Sequence, residues 1–565
     1  MESDLHSDLR EWIADHLAAD WTTVTQLRME ESKRDPPEEP FRSLYTAREL
    51  LSGMRAKLDA CPLKELEDFT ILSCFVGLEM GLNFINTEEI SSGVELFEWC
   101  IKLVEGLPSK VKTASVCMQA YNQLGIIWGN RSEQQKSLEV LLKAKAVYES
   151  HIALSPPLTS TEWLEGKPVS QDKREKDFEN LHTLTLFYLA QVYGNLGQAK
   201  ISAQYCQNTL SRQLETREYD AIEWTLNSVT LSQYYLGLEQ FAQSRHCIAS
   251  ATCVLQNYLS ETCEGDMEDE LKEKVESVGA DVSRCWTKYA ITLLTCSKER
   301  QEDESESTDP PRQKLFRFDT LEVADYESLV TSDLVEGYDG AKPVFQLGQK
   351  NIEISAKYYT LETFASENVK IVQDHSCLYK LLAFFETSNE VKCRMHKRRC
   401  DMLTSVLGEL NPQYFTSTCQ EIMFELGDIE STRADLKIIT ASESPSAHGI
   451  ARINKLIASG IVFYERFLKT FEDPDTRQLS ENIEADSLRP VLCAKLYIAR
   501  LHSKVVCGDQ TGQKSQLVKS LALYSWLVSY CDQHTEKADK AFADFLPICR
   551  EMVELLPRKM AADLR

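Results

Sequence analysis

Three places in the 565-residue sequence bring reactive side chains together along the chain. Asp374, His375 and Ser376 are the residue types of a nucleophilic triad: an acid to orient an imidazole, the imidazole as base, a hydroxyl to attack. Neighbours on a helix point about 100° apart, so these three cannot converge on one substrate atom, and His375 is expected to cap or pack. Glu302 and Glu304 are paired carboxylates in a charged stretch poor in apolar residues, where no pocket would raise a pKa. Arg394, His396, Lys397, Arg398 and Arg399 form a short basic cluster. It reads either as a solvated helix face or as an anion contact, partner contact or nuclear signal. The patterns GxxxxGK[ST], GxGxxG, HExxH and GxSxG are absent. The chain is therefore expected to be a non-enzyme, with no cofactor and no metal.

Bulk properties narrow the partners. Asp and Glu number 87 against 62 Lys and Arg, a net charge of −25. Sequence-independent nucleic-acid binding needs clustered cations to displace counterions, so no nucleic-acid partner is expected and a basic partner suits better. The 18 cysteines sit singly on apolar faces, as at Cys100, Cys206, Cys247, Cys285 and Cys531, without a CxxC pair, and are expected to be reduced core thiols. The amino-terminal MESDLHSDLREWIADHL is acidic and amphipathic, and no unbroken run of about 18 apolar residues occurs. A cytoplasmic protein without direct membrane insertion is expected.

The elements that would position a binding surface are clearest at Asn180–Gln213, NLHTLTLFYLAQVYGNLGQAKISAQYCQNTLSRQ. Leu186, Leu189, Ala190 and Tyr193 fall on one side of a helix, and Tyr188, Gln191 and Asn195 on the other. After a turn at Gly194 to Gly197, Ser202, Cys206 and Leu210 face back. A small residue at the helix crossing with an aromatic three residues on resembles a tetratricopeptide repeat. Crossing positions recur at Gly81, Gly125, Ala190 and Ser232, spaced more widely than the ~34 residues of the standard unit. Most of the longest spacing is taken up by Ser155–Glu179, whose prolines and charges predict an exposed loop.

The predicted organisation is N-terminal helices over 1–66, a repeat subdomain over 67–297 with the insertion 155–179, an acidic linker over 298–340, and a second helical-hairpin subdomain over 341–565. Lys298–Arg312, KERQEDESESTDPPR, reads as disordered. Strand alternation is almost missing, so the class is all-α, a solenoid of stacked hairpins in two subdomains. In such a solenoid the first helices line the concave groove. The groove positions are Gln123, Ile126 and Asn130; Tyr188, Gln191 and Asn195; Thr230, Gln233 and Gly237; and, from the edge, Gln213. They are uncharged, hydrogen-bonding, partly aromatic and expected to lie outside the core. A folded protein or helix fits them better than a carboxylate-ended peptide, which calls for Lys and Arg clamps.

Longer stretches carry a family resemblance. EPFRSLYTARELL at Glu39–Leu51, INTEEISSG at Ile85–Gly93, YLAQVY at Tyr188–Tyr193, SRQLE at Ser211–Glu215, IEWTLNSVTLSQYY at Ile222–Tyr235 and RCWTKY at Arg284–Tyr289 run in order with four later ones. Those are VQDHSCLYKLLAFFET at Val372–Thr387, MHKRR at Met395–Arg399, LNPQYF at Leu410–Phe415 and LRPVLCAKLYIARL at Leu488–Leu501. The chain resembles the kinesin-binding protein family. The resemblance implies a right-handed α-solenoid whose groove grips the microtubule-binding face of selected kinesin motor domains. It implies a cytoplasmic, cytoskeleton-associated regulator of kinesin transport, microtubule organisation, axon growth and mitochondrial distribution. The protein would be monomeric alone and one-to-one with a motor.

Family groove motifs match at Tyr188, Gln191, Gln213, Thr230 and Gln233, and Tyr414 carries over from the second half. The segments 155–179 and 298–312 match the family in position and character but not residue by residue. A scaffold or cochaperone-like adaptor for peptide tails is the competing expectation, and it would place Lys and Arg where Gln and Tyr stand. An enzyme with a site between the halves would need groove-facing titratable pairs.

Overall fold

In the computed structural model, which describes residues 6–108, 110–262, 268–302, 316–441, 446–473, 479 and 483–562, apolar residues at helical spacing form helices nearly throughout. Among the described residues, β structure is limited to one isolated bridge, Glu472 to Leu479. The fold is all-α and solenoid-like, each long helix packing chiefly on its neighbours in sequence. Contacts divide it into Met1–Tyr234 with Arg317–Leu321, and Tyr235–Phe316 with Glu322–Arg565.

The first unit runs α1 (Ser7–His16), α2 (Ala18–Gln26), α3 (Arg42–Asp59), α4 (Glu67–Asn86), α5 (Ile90–Glu105), α6 (Lys110–Asn130), α7 (Gln134–His151), α8 (Ser160–Glu165), α9 (Gln171–Asn195), α10 (Ala199–Thr216) and most of α11 (Ala221–Gly237). Its hairpins, and the turn that follows α11, share one closure. Three residues past the crossings at Gly81, Gly125, Ala190 and Ser232, the carbonyls of Phe84, Trp128, Tyr193 and Tyr235 accept from the amides of Glu89, Glu133, Gln198 and Gln240, each at 2.9 Å. The residue before each amide is left-handed: Glu88 at φ 66°, Ser132 at 62°, Gly197 at 73° and Glu239 at 57°. This is the Schellman closure of a helix C-terminus. The three non-glycine residues each carry about 1 kcal/mol of strain, offset by the carbonyls the turn satisfies. At the crossings the helices nearly touch. A Cβ on Gly81 would lie 2.6 Å from the Phe97 ring, and one on Gly125 2.5 Å from Leu141. Ser137 donates to the Gly125 carbonyl at 2.6 Å and Ser202 to that of Ala190 at 2.7 Å, holding the second helix at the same height in both hairpins.

The insertion Ser155–Glu179 is not the exposed loop its composition suggests. Thr159 and Glu162 close a capping box that starts α8, and Gly166, at φ 67°, ends it where a Cβ would meet the Arg10 carbonyl at 2.9 Å. Trp163 is wholly buried, stacked 5.8 Å from Phe75 of α4. Glu162, also buried, binds Arg174 through both carboxylate oxygens and accepts from the Val169 and Thr159 amides at 3.1 Å. The charged residues read as solvated thus include an internal pair that welds α8 to α9. Helix α4 is long and apolar enough by composition to cross a membrane, but it lies mostly inside the unit, with Glu79 buried against Arg28 at 2.5 Å.

The second unit contains α12 (Phe241–Glu261), α13 (Asp269–Glu302), α14 (Ala324–Glu327), α15 (Gly337–Tyr358), α16 (Ala365–Phe385), α17 (Asn389–Glu409), α18 (Thr416–Thr440), α19 (Ala447–Lys469), α20 (Ala485–Lys504), α21 (Gln510–Gln533), α22 (Thr535–Phe542) and α23 (Leu546–Ala562). The division falls at Tyr234–Tyr235 rather than at the predicted acidic segment 298–340, because α12 and α13 go with the helices that follow. A Cβ on Gly348 of α15 would meet Ala290 of α13 at 3.2 Å, and Tyr289 donates to the Thr331 carbonyl at 2.8 Å. Of the predicted disordered stretch, Lys298–Glu302 closes α13, and 303–312 lies outside the described residues. Further on, the core runs through Leu403, Ile422, Leu426, Ile457 and Val491, and Gly427 sits under the Tyr464 ring, 2.6 Å from where its Cβ would be. Among the described residues the cysteines are not joined in disulfides; most are buried, while Cys206, Cys285, Cys296, Cys377 and Cys507 are only partly so.

Candidate functional site

Asp374, His375 and Ser376 part company on α16. Asp374 pairs with Lys288 of α13 at 2.7 Å. The His375 ring packs 5.2 Å from Tyr379, its Nε2 buried without a partner, and burial holds its pKa below the usual value. Ser376 donates to Glu425 Oε1 at 2.7 Å and accepts from Arg399 Nε at 3.0 Å. No two of them share a hydrogen bond, so the arrangement cannot relay a proton.

The basic cluster on α17 divides by helical phase. Arg394, Lys397 and Arg398 are exposed, but His396 and Arg399 are buried on the side that carries Cys393, Cys400 and Leu403. A solvated face describes only the first group. Arg399 reaches Glu425 at 2.7 Å and donates to His396 Nδ1 at 2.9 Å, which makes that nitrogen the acceptor of a neutral imidazole.

The predicted groove residues are set by α9, α10 and α11. Tyr188 is half-buried, edge-on to Phe187 at 5.2 Å and packed against the cluster of Leu138, Leu141, Leu189 and Val192. It was expected outside the core; its ring instead bridges core and surface. Burial and then the Glu223 charge push its hydroxyl above the usual range. Gln191, one turn on, is exposed at a cavity of about 40 Å³ shared with Cys206 of α10 and Asn227 of α11. The Glu223 charge thus reaches Tyr188, and Gln191 shares the small cavity with Asn227, so α9 and α11 contribute to one region. Glu223, Asn227 and Thr230 follow one another at helical spacing on that side of α11.

Thr230 is exposed and donates to the Leu226 carbonyl at 2.8 Å; Gln233, half-buried, donates to Ser232 at 3.3 Å. Gln213, on α10, is half-buried, with its amide oxygen enclosed and without a partner. Tyr414 belongs to the other unit, in the turn between α17 and α18, and is 82% exposed. Gln123 and Ile126 of α6 are half-buried, while Asn130, Asn195 and Gly237 are exposed. Asn227 and Glu223 were not among the predicted positions, which lay close to the crossing at Ser232 and beyond it, although their spacing to Thr230 was visible.

Two histidines give this region and the α17 region a pH signature. His182 lies flat on Tyr148, centroids 3.6 Å apart, and burial followed by Arg212 and Lys145 lowers its pKa to about 3. His396 is likewise lowered to about 3, first by burial. The unfolded chain takes up these protons near the ordinary histidine value of about 6.5, whereas the fold resists until about pH 3. Stability is therefore complete above the unfolded value and lost as pH falls through that window, by up to about 1.4 kcal/mol per pH unit for each histidine. Denaturant midpoints measured between about pH 7 and about pH 5 should fall, and less steeply after His182→Gln with His396→Gln. An unchanged slope in that double variant would contradict the assignment.

Comparison with known proteins places these features in a family. The family described as KIF-1 binding protein C terminal matches residues 222–562. The KIF-binding protein of Gallus gallus is 36% identical over 561 residues, covering 94% of each chain. That of Homo sapiens is 32% identical over 594 residues, covering 94% of this chain and 95% of its own. A solved structure of kinesin binding protein superposes with a TM-score of 0.66 at 28% identity over 96% of this chain and 98% of that one. A cryo-EM structure of KIFBP gives 0.64 at 26% identity over 96% and 100%.

Proposed function

The chain belongs to the KIF-binding protein family, and on that premise we propose that it binds kinesin motor domains through α9–α11 and blocks their attachment to microtubules. One observation supports the place: along α9 and α11 runs a polar face, charged only at Glu223 among its named residues, in which the Tyr188 hydroxyl and the Gln191 amide make no hydrogen bond among the described residues. Such groups are satisfied by water in the free protein and by a partner in a complex. The protein's own net charge of −25 suits the occluding role, since a surface that grips the acidic microtubule is basic. Charge would speed encounter and weaken with salt; the α9–α11 contacts would set specificity. The activity is non-catalytic, one protein to one motor in the cytoplasm. Its consequence is control of kinesin-dependent transport, microtubule organisation, axon growth and mitochondrial distribution.

Binding of a kinesin motor domain to variants tests the face. Gln191→Ala, Thr230→Ala and Tyr188→Phe should each weaken it by about 1–3 kcal/mol. Gln191 and Thr230 are exposed, so the first two should leave the unfolding midpoint within about 0.5 kcal/mol of the parent. Tyr188→Phe removes the hydroxyl but keeps the ring that packs on Leu189. Undiminished affinity in all three variants would remove α9–α11 as the binding face.

A further inference from the structure

The second unit holds a cavity of about 370 Å³ lined by α16, α17, α18, α19 and α20, within the range of small-molecule sites. Three basic residues, Lys380, Arg399 and Arg500, and three carboxylates, Glu425, Asp428 and Asp435, line it, and they are not equally engaged. Glu425 is occupied by Arg399 and Ser376, and Asp435 by Lys504. Asp428 accepts from the Tyr464 hydroxyl, and burial pushes its carboxyl above the usual range. Lys380 and Arg500 line the same cavity, are exposed, and have no ion-pair partner among the described residues. His396 stays neutral beside these cations: after burial, the charges of Arg399, Arg433, Lys380 and Lys392 all act in that direction. Two cations outside any ion pair, against one carboxylate that is held by a tyrosine hydroxyl, stand out in a chain of net charge −25.

We propose that this cavity binds a small organic polyanion, gripped by the Lys380 ammonium and the Arg500 guanidinium with Arg399 behind them. Guanidinium and ammonium groups bind phosphate and carboxylate oxygens through charge-assisted hydrogen bonds, and Arg does so with both prongs of its fork. The rings of Tyr464 and Tyr497, 5.7 Å apart and tilted by 43°, give the ligand's carbon skeleton an apolar wall. Phosphate esters and polycarboxylates share this chemistry. A bound anion would tie Lys380 of α16 to Arg500 of α20, elements far apart in the chain.

Calorimetric titration and thermal unfolding of the full chain, with pyrophosphate and with citrate at fixed ionic strength, separate the two sources. Saturable binding of either is expected, pyrophosphate alone marking a phosphate ligand and citrate alone a polycarboxylate. Lys380→Gln and Arg500→Gln should each weaken it about tenfold. Arg394→Gln, on the exposed side of α17 and outside the cavity, should leave it unchanged. The proposal is overturned if neither probe saturates, if the Lys380→Gln, Arg500→Gln double variant binds as tightly as the parent, or if Arg394→Gln weakens binding equally.

Discussion

Trp163→Ala should destabilise the first unit by about 3–5 kcal/mol, among the largest losses expected of any single substitution here. The indole is fully buried between the amino-terminal helices and α4, in one apolar cluster with Leu9, Ile13, Leu17 and Phe75. Truncation would remove a large apolar side chain and leave a cavity bounded by four helices that cannot all collapse onto it. Trp163→Phe should recover most of the loss, because the indole Nε1 is buried without a hydrogen-bond partner and the ring makes its contribution by packing. Denaturant titration followed by circular dichroism would read both. A loss under about 1 kcal/mol for the alanine variant would mean that 155–179 is a surface loop after all.

Gly125→Leu should cost about 3 kcal/mol or more. The side chain would start 2.5 Å from Leu141, itself fully buried on α7, and just above the Ser137 to Gly125 hydrogen bond that fixes the crossing. Neither helix can move away without breaking the left-handed closure at Ser132. Adding Leu141→Ala opens the space and should restore part of the loss, a coupling expected only of residues in contact. If the double variant is as unstable as the sum of the singles, the crossing is not where the strain arises.

Much of this was legible in the sequence. Gly81, Gly125 and Ala190 were readable as helix crossings because a small residue followed three positions later by an aromatic has a steric reason: the small residue lets the helices meet, and the aromatic's carbonyl then closes the turn. The buried insertion was also written locally, as Thr159 and Glu162 in capping-box spacing before Gly166, but prolines and charges on either side masked it. The split of the basic cluster followed from helical phase, since His396 and Arg399 lie three apart on the side of Leu403. The assignment of α13 to the second unit was not legible, because it rests on contacts such as Tyr289 to Thr331 between residues far apart in sequence. Nor was the meeting of Gln191 and Asn227 at one small cavity, which brings together two helices that α10 separates in the chain.

The most direct test of the central claim is co-sedimentation of a kinesin motor domain with microtubules, with and without this protein, beside a pull-down of the same motor. Occlusion predicts that the motor is captured and leaves the microtubule pellet, and that Gln191→Ala returns it there. A motor that is captured yet still pellets with microtubules would contradict occlusion and leave only a scaffold.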